Sequence, residues 1–318
     1  MLRKILEGFY NPQWWLDSAI PFARSQAAKQ YSSFRYTPDA PFCQLMSEDW
    51  DNLVILDACR FDQFKRLNTI HGELQARTSL GSATPEVLIK NFEGTTHYDT
   101  VYVTANPMYR TKQLENVFHS VIDVWESEWD EQQKTVRPEE MAKATLKAYE
   151  EFADKRILSH FMQPHYPFVG ESAQDIGDHA GYELAYKRVQ GESATRDHST
   201  VWELLDEGKI DEEAVWRAYD ENLKIVLPHV QKLIDAFDGK TVVTSDHGNL
   251  VNERITPFGK RVSGHPTNTY TDELRKVPWL VVEGKTRKQI HAGEPQRRTS
   301  EGSNVVSDRL ADLGYMDT

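Results

Sequence analysis

The chain has 318 residues and a formal net charge of -12, from 49 acidic and 37 basic side chains. A negative field repels polyanions, so the composition excludes nucleic acid as a general partner. A small anionic substrate stays compatible with it, because a bound metal ion can reverse the sign of the field inside a cleft. The length suits one large α/β domain or two small ones.

The sequence shows no export signal of the usual kind. No run of eighteen apolar residues occurs, and polar residues such as Glu7 and Asp17 interrupt the N-terminal apolar positions. Neither a transmembrane helix nor a signal peptide is therefore predicted. Two cysteines, Cys43 and Cys59, are too few for a disulfide framework in a chain of this length. We expect a cytoplasmic protein.

Residues 1–40 differ from the rest of the chain and are predicted to form an N-terminal arm, before a catalytic domain over residues 41–318. The arm combines aromatic residues, including Trp14 and Trp15, with basic ones such as Arg3. A segment of this kind lies on a membrane surface, or packs across its own domain or a partner subunit. Packing is the favoured interpretation, because aromatic stripes usually bury against protein.

From residue 50 onward, apolar runs alternate with helical patterns. Five runs predict buried strands, at 52–56, 100–104, 157–162, 241–244 and 279–282. Helical patterns cover about 85–93, 137–154, 211–237 and 303–313. This alternation predicts an α/β fold with a mainly parallel central sheet and helices on both faces. The polar stretch 170–200 is interpreted as an insertion that forms a lid.

Polar side chains follow two of the predicted strands. Asp57 comes directly after the first strand, and Asp246 and His247 follow the fourth. Ligands of open α/β sheets collect beyond the carboxyl ends of the strands, so these side chains are expected to converge. Two carboxylates and an imidazole suit a divalent metal ion. Gly248 would let the backbone turn tightly beside it.

A loop of small residues, SLGSAT over 79–84, leads through Pro85 into a predicted helix. A hydroxyl at a helix N-terminus meets backbone N–H groups and the positive end of the helix dipole, which favour an anionic ester. Ordinary capping of the helix by Ser82 or Thr84 is the alternative.

Three histidines fall at or near predicted strands. His160 lies in the third strand, His165 lies between Pro164 and Pro167, and His265 follows a glycine and precedes a proline. Backbone-restricted loops suit residues that must be positioned before the substrate arrives. Hydrogen bonding to the backbone alone is the alternative for these histidines.

These motifs together resemble the alkaline phosphatase superfamily, and within it the sulfatase-like branch that includes phosphoglycerol and phosphoethanolamine transferases. The resemblance runs from about residue 52 to residue 315. It depends on five short motifs in the family's order: Leu56-Asp57, the Ser-x-Gly-Ser-x-Thr loop ending at Thr84, Pro164-His-x-Pro-Phe168, Ser245-Asp-His-Gly248, and Gly264-His265 before Val277-Pro278. It implies an alkaline phosphatase-like α/β fold.

The resemblance also implies roles for individual residues. One divalent cation (Zn, Mn or Ca) would be held by Asp57, Thr84, Asp246 and His247. Thr84 would also be the nucleophile. His165 and His265 would bind the ester oxygens or protonate the leaving group, and Arg60 is a further candidate for substrate binding. His160 would contact a ligand of the ion, or would simply be buried at the end of its strand.

Two departures from the family pattern bear on the substrate. Formylglycine sulfatases carry a Cys-x-Pro-x-Arg motif, which neither Cys43 nor Cys59 begins. Sulfatases also tend to carry paired acids where Ala58 here follows Asp57. Both departures favour the phosphate-handling branch over sulfate hydrolysis.

A second metal ion is not expected. Two-metal members usually add an Asp-x-x-x-His pair, which the segment around His165 lacks, although Asp175 and His179 in the predicted lid have that spacing. We therefore expect a metal-dependent hydrolase or transferase that acts on small phosphate mono- or diesters through Thr84. A sulfatase and a catalytically degenerate binding member of the same superfamily are the alternatives.

Overall fold

A computed structural model describes residues 19–114, 116–176, 200–257, 259–296 and 303–313. Its strands are β1 Asn52–Leu56, β2 Glu73–Thr78, β3 His97–Thr104, β4 Phe118–Asp123, β5 Trp129–Asp130, β6 Thr135–Val136, β7 Arg156–Phe161, β8 Thr241–Thr244, β9 Leu250–Arg254, β10 Arg261–Gly264 and β11 Lys276–Val282. Its α-helices are α1 Ile20–Arg35, α2 Phe61–Leu67, α3 Thr84–Phe92, α4 Met108–Thr111, α5 Val124–Ser127, α6 Pro138–Glu151, α7 Val201–Asp206, α8 Glu212–Ala236, α9 Asp272–Arg275 and α10 Ser303–Asp312. Short 3₁₀ turns span Leu45–Ser47 and Glu171–Ile176.

Seven strands form one central sheet in the order β2-β11-β8-β1-β7-β3-β4. The pairs from β8 through β1, β7 and β3 to β4 are parallel, and β11 runs antiparallel to both β8 and β2. The predicted fold class, an α/β fold with a mainly parallel sheet, is confirmed. All five residues of β1 are buried, as expected for a strand covered on both faces.

The sequence analysis missed β2 and β4, and both lie at the edges of the sheet. Strand β2 has the sequence ELQART and is mostly half-exposed, and β4 carries His119 and Ser120. Edge strands need less apolar surface than central strands, so they lack the continuous apolar run that identified the others.

Helix α8 is the longest helix of the described chain and packs against α6 and α2. Its buried face includes Val215, Tyr219, Leu223 and Val230, at the spacing of an amphipathic helix. Tyr219 also packs in a smaller apolar cluster with Phe168 and Trp202. This cluster lies beneath two of the loops that carry candidate site residues.

The predicted N-terminal arm is described from residue 19, and its helix α1 leaves Phe22 and Phe34 exposed. The helix joins the domain near its end, where the Ser32 hydroxyl accepts a hydrogen bond from the backbone of Tyr270 (3.1 Å). Within the described residues, no helix is both long and apolar enough to span a bilayer. The predicted lid and its pair Asp175 and His179 fall largely outside the described residues, since 177–199 are not among them. The division into arm, domain and lid stays a prediction.

Candidate active site

The carboxyl ends of β1 and β8 bring three metal-binding side chains together. The two strands are adjacent and parallel, so residues that follow them meet at one edge of the sheet. Asp57 follows β1, and Asp246 and His247 follow β8. One donor atom from each lies within 4.8 Å of the other two, and all three side chains are buried.

Asp246 is held by the backbone on one side and faces the site on the other. Its Oδ1 accepts hydrogen bonds from the backbone N–H groups of Ala58 (3.0 Å) and His247 (2.8 Å). Its Oδ2 lies 2.8 Å from the hydroxyl of Thr84. Ala58 adopts a positive φ of 57°, which turns its N–H group toward Asp246 directly after β1.

Asp57 is oriented by a residue that the sequence analysis did not identify. The Asn106 side chain donates a hydrogen bond to Asp57 Oδ2 (2.8 Å). Asn106 follows β3 by two residues and is buried. The signal available in the sequence was a polar residue two positions beyond the predicted strand 100–104, which a rule limited to the residue directly after a strand does not detect.

The ring of His247 is fixed in one tautomer. Its Nδ1 donates to the carbonyl of Gly248 (2.7 Å), so Nε2 carries the lone pair and faces the carboxylates. Gly248 does not have a left-handed backbone. A Cβ at this position would overlap the carbonyl oxygen of Glu273, so close backbone approach is what requires glycine.

The geometry of these residues fits a divalent cation. Two donors that share one ion lie about 3–4 Å apart when each bond is about 2.1 Å. Thr84 Oγ1 lies 2.8 Å from Asp246 and 3.1 Å from His247 Nε2, which in turn lies 3.7 Å from Asp57 Oδ1. Two carboxylates buried this close to each other are costly unless a positive charge offsets them. The buried Asp-Asp-His group is therefore suited to binding a metal ion.

Electrostatics keep Asp57 ionised. Burial acts to raise the pKa of its carboxyl, but the neighbouring histidines, His165 first and then His160 and His247, hold that pKa below its usual value. A carboxylate that stays charged over the whole physiological range is available to a cation at any pH in that range.

His165 and His265 lie next to this group and contact each other. Their Nε2 atoms are 2.8 Å apart, and the His265 ring lies 4.8 Å from that of His247. His165 Nδ1 donates to the carbonyl of Tyr166, so His165 Nε2 accepts and His265 Nε2 donates. Desolvation lowers the pKa of both rings, and for His265 the neighbours His247 and His165 lower it further. Both rings are therefore neutral near pH 7.

Two contacts that the sequence did not reveal hold these histidine loops. The Asn222 side chain in α8 donates to the carbonyls of Pro164, His165 and Pro167, at 3.1–3.3 Å. Gly264 adopts a φ of 82° and packs against the Trp202 ring. In the sequence, Asn222 could have been recognised as an amide side chain on the otherwise apolar face of an amphipathic helix.

The described hydrogen bonds of Arg60 are made to residues outside the candidate metal group and the histidine pair. Its guanidinium pairs with Asp62 (2.7 Å) and Glu253 (2.5 Å) and lies over the ring of Trp216. It also donates to the carbonyl of Asn249 (3.2 Å). These contacts tie the turn after β1 to β9, so its predicted role in substrate binding gains no support.

The other loop hydroxyls are engaged with the backbone. Ser79 donates to the carbonyl of Asp246, and Ser82 donates to that of Pro266 (3.0 Å). Thr84 is the first residue of α3, and its hydroxyl contacts side chains of the candidate metal group instead. Of the three hydroxyls, Thr84 is the one placed to act beside an ion.

Neither a family model nor a curated protein sequence matches the chain. Solved structures do. The integral membrane protein lipooligosaccharide phosphoethanolamine transferase A (EptA) from Neisseria meningitidis is 13% identical with a TM-score of 0.46, and the match covers 83% of this chain and 55% of that one. The C-terminal periplasmic domain of EcEptC from Escherichia coli, in complex with Zn, is 16% identical with a TM-score of 0.42, covering 78% and 77%. A protein in the alkaline phosphatase superfamily from Vibrio parahaemolyticus is 14% identical with a TM-score of 0.36, covering 91% and 74%.

The matched structures include a phosphoethanolamine transferase and a protein in the alkaline phosphatase superfamily, the superfamily that the motifs of this chain resemble. The expected cytoplasmic location is wrong by the same comparison, since the similar structures include an integral membrane protein and periplasmic domains. That expectation depended on the absence of a leader-like apolar run, and such an absence is not evidence for any compartment. The match to the Neisseria protein spans little more than half of that protein's length.

Proposed function

We propose that this protein is a metal-dependent enzyme that hydrolyses or transfers phosphate esters, with Thr84 as its nucleophile. The observation that carries the proposal is the position of Thr84 Oγ1, 2.8 Å from Asp246 and 3.1 Å from His247 Nε2. Plain capping of α3 does not account for it, because the Thr84 hydroxyl contacts these two side chains of the candidate metal group.

Four residues would hold the ion: Asp57, Thr84, Asp246 and His247. The ion, when bound, would lower the pKa of the threonine hydroxyl and offset the charge that grows on the phosphoryl oxygens. The Thr84 oxygen attacks phosphorus while the bond to the leaving alcohol breaks, which gives a phosphothreonine. Water or an acceptor alcohol then attacks the same phosphorus and releases Thr84.

The histidine pair supplies hydrogen bonds and a proton on the other side of the site. Neutral His265 carries a proton on Nε2, and His165 Nε2 accepts from it. Substrate entering between the two rings would take over this hydrogen bond, so that His265 donates to an ester oxygen or to the leaving alcohol. His265 is partly exposed and His165 is buried, which makes His265 the first of the two to meet a substrate.

The test combines metal analysis with a small substrate panel. Purified wild-type protein should contain a divalent metal and should cleave an aryl phosphate or an aryl phosphodiester faster than an aryl sulfate. Thr84→Val keeps the shape of the side chain and should remove turnover, whereas Thr84→Ser should retain it. Mass spectrometry of rapidly quenched reactions should find a phosphate on the peptide that contains Thr84.

Activity of Thr84→Val equal to wild type would overturn the nucleophile. A metal-free wild-type protein with no activity on the panel would favour the degenerate binding member. A preference for aryl sulfate would overturn the assignment to phosphate.

A further inference from the structure

His160 occupies the same relation to the two carboxylates as His247 does. His247 Nε2 lies 3.4 Å from Asp246 and 3.7 Å from Asp57. His160 Nε2 lies 3.9 Å from Asp246 and 3.6 Å from Asp57. Both rings are fully buried. The donors that lie within 4.8 Å of one another are those of Asp57, Asp246 and His247. His160 approaches the same two carboxylates at similar distances, through the other oxygen of Asp57.

The inner nitrogen of His160 faces both carboxylates but lies beyond ordinary hydrogen-bond distance from either. Within the part of the chain that the structure describes, Nε2 is buried and accepts or donates no hydrogen bond. Its distances to the carboxylate oxygens are too long for hydrogen bonds. They match the separation of about 3–4 Å between two donors that share one ion. A buried polar atom without a partner is costly, and an ion between it and the carboxylates would remove that cost.

The other nitrogen of His160 is anchored. Nδ1 lies 2.9 Å from the hydroxyl of Tyr102, on the neighbouring strand β3. A hydroxyl oxygen accepts as well as donates, so the Tyr102 oxygen can accept a hydrogen bond from Nδ1–H, which leaves the lone pair of the ring on Nε2. Metal-binding histidines are commonly fixed in this way through their second nitrogen.

We propose that His160 is a further metal ligand of this centre, with Nε2 as the coordinating atom and Tyr102 as the residue that orients the ring. The inference rests on the metal centre of the proposed function. It extends the donor set to two carboxylates and two imidazoles beside Thr84. Such a set suits a borderline ion such as Zn²⁺, since imidazole favours zinc over the hard cation Ca²⁺.

The experiment measures metal binding directly, with Zn²⁺ for affinity and Co²⁺ for the coordination sphere. Visible absorption of the Co²⁺ protein reports the number and kind of ligands. His160→Ala and the larger His160→Gln should lower Zn²⁺ affinity more than about 100-fold, which exceeds the effect of losing an outer partner. Both should change the Co²⁺ spectrum. Tyr102→Phe should lower affinity about 10–100-fold.

His119→Ala is the matched control. His119 is a buried histidine of the same sheet, at the start of β4 and thus at the opposite edge from the site. It should leave both Zn²⁺ affinity and the Co²⁺ spectrum as in wild type. Far-UV circular dichroism of each metal-free variant separates loss of a ligand from loss of folding, and His160→Gln serves if His160→Ala does not fold.

An unchanged Co²⁺ spectrum in folded His160→Ala or His160→Gln would overturn the proposal. So would a wild-type protein that binds neither ion. The two proposals can fail separately: wild-type protein that binds Zn²⁺ but cleaves no ester would contradict the proposed function alone. An active wild-type enzyme whose His160 variants bind Zn²⁺ as tightly would contradict the role of His160 alone.

Discussion

The two sides of the candidate site are built in different ways. On the carboxylate side, Asp57 and Asp246 follow adjacent parallel strands, and backbone N–H groups hold Asp246 in place. On the histidine side, His165 and His265 stand on loops that depend on α8 and on the small apolar cluster. The sheet itself thus fixes the first side, whereas contacts between distant segments fix the second.

The charges of the two sides differ as well. The carboxylate side keeps Asp57 ionised, whereas desolvation and mutual proximity lower the pKa of both His165 and His265. The anionic side is suited to binding a cation. The neutral imidazole pair is suited to binding an anionic ester and to donating a proton to its leaving alcohol. This difference predicts that substitutions on the two sides will separate metal binding from turnover.

The largest effect is expected for Asp246→Asn. The amide can still accept from the N–H groups of Ala58 and His247 through one oxygen, but it removes the negative charge that faces Thr84. We expect Zn²⁺ affinity to fall more than about 100-fold and turnover to fall about 10⁴-fold or more. Equilibrium dialysis and steady-state kinetics measure the two quantities.

Asp51→Asn is the control for this substitution. Asp51 is also buried, but it precedes β1 at the opposite end of the strand and pairs with Arg287. It should lower thermal stability and leave Zn²⁺ affinity unchanged. Equal affinity in Asp246→Asn and wild type would show that Asp246 is not a ligand.

On the histidine side, His265→Gln should separate the two properties. Turnover should fall about 10²–10⁴-fold, the usual contribution of a general acid, because glutamine can hydrogen-bond an ester but cannot pass on a proton. Metal content should stay as in wild type, and His165→Gln should behave in the same way. Loss of metal from either variant would make that histidine a ligand, and full activity in both would remove them from the site.

A smaller, paired effect is expected for the two buried asparagines. Asn106→Leu removes the hydrogen bond that orients Asp57, and Asn222→Leu removes those that hold the His165 loop. Asn106→Leu should weaken Zn²⁺ binding about 10–100-fold. Asn222→Leu should leave Zn²⁺ affinity unchanged and lower turnover by up to about 10²-fold, through misplacement of His165. The reverse pattern would contradict the separation of the two sides.

The same difference explains how much of the site could be read from the sequence. Asp57, Asp246 and His247 follow predicted central strands, and parallel strand ends meet at one edge, so their convergence could be predicted. The mutual contact of His165 and His265 could not, because it depends on Asn222 and Trp202, which lie in other segments. Arg60 was a candidate for substrate binding, but its guanidinium pairs with Asp62 two residues along the chain and, through tertiary packing, with Glu253. The edge strands β2 and β4 were missed because their sequences lack a continuous apolar run.

The smallest effect on turnover is expected for Cys59→Ala. Cys59 lies close to the carboxylate side of the site but is not one of the proposed metal ligands. The thiol is fully buried, and burial, followed by the nearby Asp62 and Asp246, raises the pKa of Cys59 well above its usual value. A thiol held in this way stays protonated and is a poor nucleophile. We expect turnover of Cys59→Ala within about twofold of wild type, with a loss of stability of about 1 kcal/mol for the small cavity. Iodoacetamide should label Cys59 slowly in the folded protein and fast in denaturant. If Cys59→Ala were folded but inactive while Thr84→Val stayed active, the nucleophile would be Cys59 in the turn after β1 and not Thr84. The division of the site into a carboxylate side and a histidine side would then also be wrong.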